Sequence, residues 1–370
     1  MNDGPWRFVD VGPVEAPVQF ARMPTMAGGV ASGGPQILMT ASWSRRHFQV
    51  GWFEDVDAVL DLEAAREAGV DVFRRPVMGG GAAFYDTDAV AMFSYFLSPA
   101  RWPDLDAALE HFRPAMRKAL DDLGLGDVAF EGSSDLRWHG RKLGAVISQT
   151  ALGTNVVGSF FNLKRPDLEL YARVARVPEE KFKDKVIKDA VEYICTPSDV
   201  RGSDLGYEEF RDAIVAASRE VLGLDLEETP LTEAEAAGMP GFAELIRGDD
   251  WVLRTSTSRF TAEAPPGSRV GFANVKGKKL VRAGVALDED RTILRALMAG
   301  DMHLSPPDAM ERVAAALANA RVDDRDDLVA RVRAVFDEPD VDQPDATAGI
   351  TAEDCVDAVE LAATNAAGPR

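Results

Sequence analysis

Glycines and arginines are concentrated in one short segment of the chain. Residues 74–86 read RRPVMGGGAAFYD, with three consecutive glycines, Gly79–Gly81, shortly after Arg74 and Arg75. Because glycine has no Cβ atom, the backbone of such a run can lie directly against a ligand. Peptide N–H groups and guanidinium groups together form a cradle for a phosphate or a carboxylate. The same residue types also build ordinary hairpins, so this segment alone indicates either an anion-binding loop or a turn.

The glycine-rich segment is one of several ordered motifs. Segment 48–54 (FQVGWFE) precedes it, and SDL at 134–136 and GRKLG at 140–144 follow. Their order and spacing resemble the signature of lipoate–protein ligases of the biotin/lipoate protein ligase superfamily. Nearer the C-terminus, 277–282 (GKKLVR) and 300–306 (GDMHLSP) resemble the accessory module of these ligases, here fused to the same chain.

The resemblance implies a reaction in two steps. A carboxylate attacks the α-phosphate of ATP to give an acyl-adenylate, and a lysine amine of an acceptor lipoyl domain then displaces AMP. The implied ligands are lipoate and ATP, with Mg²⁺ arriving on the phosphates of the nucleotide. The implied partner is the lipoyl domain of a 2-oxoacid dehydrogenase E2, a glycine-cleavage H-protein or a similar acceptor.

The same resemblance gives candidate site residues. Lys142 is the catalytic candidate, because a fixed cation could bridge the substrate carboxylate and the α-phosphate; the alternative is a surface lysine in a hairpin. Asp135 could accept the adenine amino group or could be a simple turn aspartate. The other candidates for binding substrate or adenylate are Arg75, Gly79, Gly80, Gly81, Ala82, Tyr85, Asp86 and Gly144. His47, His111, His139 and His303 have no metal or triad spacing, and no metal-ligand set is expected.

Four positions depart from the family pattern. Pro76 alters the segment between the arginines and the glycines, and Tyr85 stands where the family has a histidine. Ala145 and Val157 lie in segments that usually read Gly-Ser-Ala and His-Gly-Thr. These departures bear on the acyl substrate more than on the fold. A ligase for another carboxylic acid, an octanoyltransferase with a cysteine nucleophile and an inactive binder of lipoyl domains are therefore the alternatives.

The two cysteines, Cys195 and Cys355, are far apart in the sequence. They exclude a disulfide framework or a zinc-ligand set, and the low cysteine content predicts a cytoplasmic protein. Neither cysteine lies in residues 127–163 around Lys142, so we expect both thiols to be inert. This expectation disfavours octanoyl transfer.

The composition narrows the classes of partner. Acidic residues outnumber basic residues by 61 to 41, for a formal net charge of −20, which repels nucleic acid and anionic membranes. The first residues lack the basic start and apolar run of a signal peptide. Residues 23–44 carry no charged side chain, but their glycines and prolines argue against a membrane helix and predict mostly loop.

The patterns and the resemblance together predict an α+β protein. We expect a mixed, mostly antiparallel sheet with packed helices, of the biotin/lipoate ligase type, followed by a small α+β accessory domain. Apolar residues at helical spacing predict a long helix over 104–123, and Trp251–Phe260 is expected to be a strand. The expected segments are a catalytic domain at 1–248, an accessory domain at 249–336, and an acidic linker with a terminal helix at 337–370. A protein that ends near Arg247 is expected to fold, to fail in adenylation and still to transfer from supplied lipoyl-AMP.

Overall fold

The computed structural model describes residues 5–76, 79–131, 135–151, 153–176, 192–343 and 349–367. Contacts within the chain define two compact units, and neither is continuous in sequence. Unit 1 comprises Met1–His47, Phe84–Arg173 and Pro178–Leu245, and unit 2 comprises Phe48–Ala83, Val174–Val177 and Ile246–Arg370. The sequence-based boundaries after residues 248 and 336 stay predictions about domains that fold independently.

Strands and helices are interspersed along the chain. The strands are β1 (Trp6–Val14), β2 (Gln36–Trp43), β3 (His47–Val50), β4 (Asp71–Arg74), β5 (Ala82–Tyr85), β6 (Val90–Leu97), β7 (Ala129–Glu131), β8 (Asp135–Trp138), β9 (Arg141–Ala151), β10 (Thr154–Asn162), β11 (Leu226–Glu228), β12 (Arg269–Lys276), β13 (Leu280–Leu287) and β14 (Ile293–Asp301). The helices are α1 (Ala16–Ala31), α2 (Val56–Val59), α3 (Leu62–Glu67), α4 (Leu105–Asp122), α5 (Leu168–Val174), α6 (Pro197–Arg201), α7 (Tyr207–Leu222), α8 (Glu233–Ala237), α9 (Phe242–Arg247), α10 (Asp249–Val252), α11 (Thr257–Ala262), α12 (Ala309–Leu317), α13 (Arg325–Phe336) and α14 (Ala352–Thr364).

Unit 1 is built on an eight-stranded sheet in the order β11-β1-β2-β6-β10-β9-β8-β7. Strand β1 pairs in parallel with β2 and β11, and the other neighbours pair antiparallel. The sheet is therefore mixed and mostly antiparallel, which confirms the predicted fold class. The central strands β2 and β6 are buried along their whole length, as their largely apolar sequences predict.

Helices α4 and α7 cover one part of this sheet. The Asp104 carboxylate caps α4 by accepting from the N–H groups of Asp106 and Ala107, and the apolar residues at helical spacing form its buried face. Phe112 of this face packs against Tyr95 of β6, with ring centroids 4.4 Å apart. The predicted helix over 104–123 is confirmed, and Pro114 lies inside it.

Two predictions of local structure were wrong. Residues 16–31, whose later half was predicted to be loop, form α1, and its buried residues include Met26 and Val30. This helix packs against β2, β6 and β10, and burial of an apolar face outweighs the cost of internal Pro24 and the glycines. Likewise, the expected strand Trp251–Phe260 falls in α10 and α11. Ser256 caps α11 by accepting from the N–H group of Arg259, a local signal that favours a helix over a strand.

Unit 2 contains a three-stranded antiparallel sheet in the order β12-β13-β14, with helices α12, α13 and α14. It also contains most of a second small sheet in the order β4-β3-β5. The terminal helix α14 begins with a capping box formed by Thr351 and Asp354. Its Cys355, Val356 and Val359 are fully buried in the core formed with β13. Among the described helices, none is long and apolar enough to cross a membrane.

Candidate active site

Lys142 and Asp135 meet across neighbouring strands of unit 1. The register of β8 and β9 shifts between Leu136 and Arg137, and Arg137 then lies opposite Lys142. The Lys142 Nζ atom is 2.7 Å from Asp135 Oδ1, and the side chains are 29% and 21% exposed. The strand pairing thus holds an ammonium group at a defined place while leaving part of it open to solvent. The structure brings these two predicted site residues into direct contact.

Arg137 completes a charged cluster that the sequence did not reveal. Its Nε and Nη2 atoms donate to Asp135 Oδ2 at 3.0 Å and 2.6 Å. Burial alone would raise the pKa of Asp135, but the hydrogen bonds from Lys142 and Arg137 outweigh it and lower the pKa below its usual value. The carboxylate therefore stays ionised and is held between two cations. Alternation along β8 places residues 135 and 137 on one face of the strand, and this spacing could have revealed Arg137.

The backbone next to Lys142 is paired with the segment that carries Cys195. The Cys195 N–H group donates to the Lys142 carbonyl at 2.9 Å, and Ile194 forms a parallel bridge with Lys142. The thiol itself is fully buried and lies 3.6 Å from the Arg141 carbonyl oxygen. Burial raises the pKa of this thiol and also that of Cys355. Neither cysteine therefore has the character of an activated thiolate.

Tyr85 lies in an aromatic cluster of unit 1. Its ring contacts those of His47 and Phe160, with centroids 5.4 Å and 6.0 Å away. Burial lowers the pKa of His47 to about 4, so this imidazole is neutral at physiological pH. Its Nδ1 atom is 2.9 Å from the Arg45 carbonyl oxygen. The position where the family has a histidine is thus occupied by a tyrosine that packs against a neutral, buried histidine.

Asp86 and Gly144 have structural roles in unit 1. The Asp86 carboxylate accepts from the N–H groups of Thr87 and Asp167 and lies 3.2 Å from the Arg46 guanidinium. A Cβ atom at Gly144 would lie 2.1 Å from the Phe160 carbonyl oxygen, so glycine is required for the close approach of β9 and β10. Two of the positions that depart from the family pattern also lie in this sheet. Val157 is fully buried, and the carbonyl of Ala145 on β9 accepts from the Ser159 hydroxyl.

Arg74 is a structural residue of unit 2. Its side chain is fully buried, and its guanidinium donates to backbone carbonyls of the residues that the structure describes. These acceptors are Gly51 at 2.6 Å, Trp52 at 3.2 Å, Glu54 at 2.7 Å, Trp251 at 3.3 Å, Val252 at 2.7 Å and Thr255 at 2.9 Å. Desolvation lowers the pKa of Arg74 to about 9, so the side chain remains a cation. The Arg74 guanidinium is therefore engaged by the backbone of unit 2.

The glycine run lies in unit 2 and packs tightly against its backbone. A Cβ atom at Gly80 would lie 2.2 Å from the Cα atom of Asp301, so only glycine fits there. Arg75 Nη2 donates to the Gly80 carbonyl at 2.5 Å, and Ala82 begins β5. Val77 and Met78 of this motif, and Ser134 of the later one, lie outside the described residues.

The predicted site residues are thus divided between the two units. Unit 1 holds Lys142, Asp135, Tyr85, Asp86 and Gly144, and unit 2 holds Arg75, Gly79–Gly81 and Ala82. Within the described ranges, no group of three or more His, Cys, Asp or Glu side chains could hold a metal ion.

Comparison with known families gives one match over more than half of the chain. The model of the family described as lipoyl protein ligase A/B catalytic domain matches residues 18–219. Lipoate-protein ligase A subunit 1 of Thermoplasma acidophilum is 26% identical over 195 residues, covering 50% of this chain and 72% of the relative. Octanoyltransferase LipM of Symbiobacterium thermophilum is 25% identical over 275 residues, covering 67% of this chain and 98% of the relative.

Solved structures share the fold. P. falciparum LipL1 in complex with lipoate superposes with a TM-score of 0.65 at 10% identity, covering 96% of this chain and 98% of LipL1. A bipartite lipoate protein ligase from T. acidophilum, described with its E2 lipoyl domain, has a TM-score of 0.53 at 22% identity. The match covers 67% of this chain and 96% of the T. acidophilum chain. Lipoate-protein ligase A bound with ATP has a TM-score of 0.52 at 18% identity, covering 68% of this chain and 99% of the ligase chain. The predicted lipoate ligase fold is confirmed, including a C-terminal domain with a small sheet and helices.

Proposed function

Because the chain belongs to the family of lipoyl protein ligase A/B catalytic domains and is an enzyme of that family, we propose that it is an ATP-dependent lipoate ligase. An oxygen of the lipoate carboxylate attacks the α-phosphorus of ATP, and pyrophosphate leaves. The lysine amine of a lipoyl domain then attacks the acyl carbonyl, loses a proton, and AMP leaves. Homologous structures bound to ATP and to lipoate, and one described with its E2 lipoyl domain, support these substrates and this partner.

The observation that carries the proposal is the contact between Lys142 and Asp135. An ammonium group has three donors, and the 2.7 Å contact with Asp135 engages one of them. The other N–H donors of Lys142, whose side chain is partly exposed, are available to both the lipoate carboxylate and the α-phosphate, two anions that otherwise repel each other. Because the strands and Asp135 fix the cation beforehand, little reorganisation is needed as charge develops in the transition state. Mg²⁺ would arrive on the phosphates of ATP rather than on a cluster of protein carboxylates.

Octanoyl transfer is the second candidate, favoured by the similarity to LipM over nearly the whole length of that relative. A transferase of this kind needs a thiolate that attacks the acyl carbonyl. The structure places Cys195 beside the Lys142 backbone, closer to the site than the sequence predicted. Its thiol is nevertheless fully buried, and burial raises its pKa, which disfavours the thiolate. These properties support ligation over transfer.

The test is lipoate-dependent exchange between ATP and pyrophosphate, with intact-mass detection of lipoylated acceptor domains. Lys142→Ala should lower the exchange rate by about 10²–10³-fold, the usual loss for one fixed electrostatic contact, without loss of folding. The matched control is Lys118→Ala, which removes another lysine of unit 1 that is bound to an acid, Asp122, at 2.7 Å. Exchange by Lys142→Ala at the rate of the control would remove Lys142 from this role, and a wild-type protein without lipoate-dependent exchange would overturn the proposed ligase activity. Acyl transfer from an octanoyl donor without ATP, lost in Cys195→Ser, would establish the second candidate.

A further inference from the structure

Glu54 is a buried carboxylate that joins distant parts of unit 2. Its side chain is 2% exposed. One oxygen, Oε2, accepts from the Gly81 N–H group at 3.1 Å, and the other, Oε1, accepts from the Arg282 Nε atom at 2.8 Å. Glu54 Oε1 also accepts from the Asp55 N–H group at 3.1 Å. A buried charge needs such partners, because an unpaired carboxylate is costly in the interior.

Arg282 is itself held in place by the C-terminal sheet. It lies on β13 directly opposite Asn274 of β12, and its Nη1 atom donates to the Asn274 Oδ1 atom at 3.1 Å. The Arg282 side chain is 15% exposed, so it has little freedom to turn away from Glu54. A side chain 228 residues away in the sequence therefore sets the position of the Glu54 carboxylate, which in turn holds Gly81.

The carbonyl groups of the glycine run also accept hydrogen bonds. Gly51 donates to the Gly81 carbonyl at 2.7 Å, and Phe53 donates to the Gly79 carbonyl at 3.2 Å. Arg75 donates to the Gly80 carbonyl. With all three carbonyls engaged, the peptide planes of the run have fixed orientations. Glu54 adds a contact to a peptide N–H group of the run, at Gly81.

We propose that Arg282 and Glu54 are positioning residues that keep the Gly79–Gly81 run in the conformation that receives the acyl-adenylate. This inference rests on the proposed function and on the sequence-based expectation that this run binds the adenylate. Peptide dipoles contribute to binding and catalysis when they are oriented before the ligand arrives. The C-terminal sheet, which resembles the accessory module, would therefore act on the reaction through the Arg282–Glu54–Gly81 contacts, without itself touching the reacting atoms.

The experiment compares Glu54→Gln and Arg282→Gln with Arg295→Gln in the full-length protein. Arg295 is the matched control, because it lies on β14 of the same sheet and pairs with Glu263 at 2.6 Å, away from the glycine run. Amide hydrogen exchange of peptides that contain Gly81 reports the conformation of the run directly. ATP–pyrophosphate exchange gives KM for ATP and kcat. Arg282→Lys keeps the charge, so its amide exchange and kcat/KM should lie between those of Arg282→Gln and the wild type.

For Glu54→Gln and Arg282→Gln we expect about tenfold faster amide exchange at Gly81, the change that corresponds to one lost contact of ordinary strength, and a fall in kcat/KM of about tenfold or more. Arg295→Gln should match the wild type in both measurements. Unchanged amide exchange in both test variants overturns the proposal, as does faster amide exchange with wild-type kinetics. If a single variant does not fold, the double variant Glu54→Gln/Arg282→Met removes both charges together and is measured in the same way. A wild-type protein without any ATP–pyrophosphate exchange would refute the proposed function, while amide exchange would still decide the role of the pair in the conformation of the run.

Discussion

Replacing Arg74 by methionine should destabilise unit 2 far more than the same change at Arg75. Methionine fills a similar volume but donates no hydrogen bond, so the six carbonyls around the guanidinium would lose their common donor. Four of these hydrogen bonds are 2.9 Å or shorter. At about 1.5 kcal/mol each, the low end for a charged donor, they amount to about 6 kcal/mol. This loss is comparable with the whole stability of a typical domain, about 5–15 kcal/mol.

The assay is urea denaturation together with amide exchange of peptides from residues 48–76. For Arg74→Met we expect most of the stability of this region to be lost at all ATP concentrations. Arg75→Met removes the hydrogen bond to the Gly80 carbonyl, worth about 1.5 kcal/mol on the same scale, and should cost far less stability than Arg74→Met. The reasoning is refuted if Arg74→Met unfolds within about 1 kcal/mol of the wild type but raises KM for ATP, because Arg74 would then be a ligand residue.

Three further predictions concern other parts of the chain. The pKa of His47 is about 4 in the folded protein against an ordinary value of 6.5. Between pH 6.5 and pH 4 the unfolded state therefore binds a proton that the folded state does not bind. The free energy of unfolding should fall by about 3 kcal/mol over this pH range. In His47→Gln this part of the acid dependence should be absent from urea titrations, and an unchanged pH dependence would contradict the assignment. Cys195→Ser should retain ATP–pyrophosphate exchange, and a trapped thioester on Cys195 would contradict that expectation. A protein that ends near Arg247 should be cleaved by protease within residues 48–83, because it lacks Arg282 and the carbonyls of Trp251, Val252 and Thr255; protection equal to that of the full chain would show that these contacts are dispensable.

The last prediction revises the expectation drawn from the sequence for the truncated protein. The sequence suggested that everything before Arg247 folds as one domain. In the structure, Phe48–Ala83 belongs to unit 2, and the Gly300 N–H group donates to the Phe53 carbonyl at 2.9 Å. Contacts between segments more than 150 residues apart leave no trace in local hydrophobic patterns.

Local patterns were informative where local physics decides the structure. The helix over 104–123, the capping boxes at Thr232 and Thr351 and the hairpin of β12 and β13 follow from side-chain spacing and from hydrogen bonds within one turn. They were less informative for α1, where glycines and prolines predict loop. Burial of an apolar face against the sheet decides that helix, and burial is a property of the whole fold.

The sequence by itself determined the family and the order of the motifs. It also showed an aspartate and a lysine seven residues apart in a motif that follows the glycine-rich run. Only the tertiary structure decided which partners each of these residues contacts. The register shift of β8 and β9 brings Lys142 to Asp135, six carbonyls make Arg74 a structural residue, and Arg282 reaches Gly81 through Glu54. The physical reason is that residue type sets which hydrogen bonds and charges a side chain offers, whereas its partners depend on which strands pair and which segments are buried together.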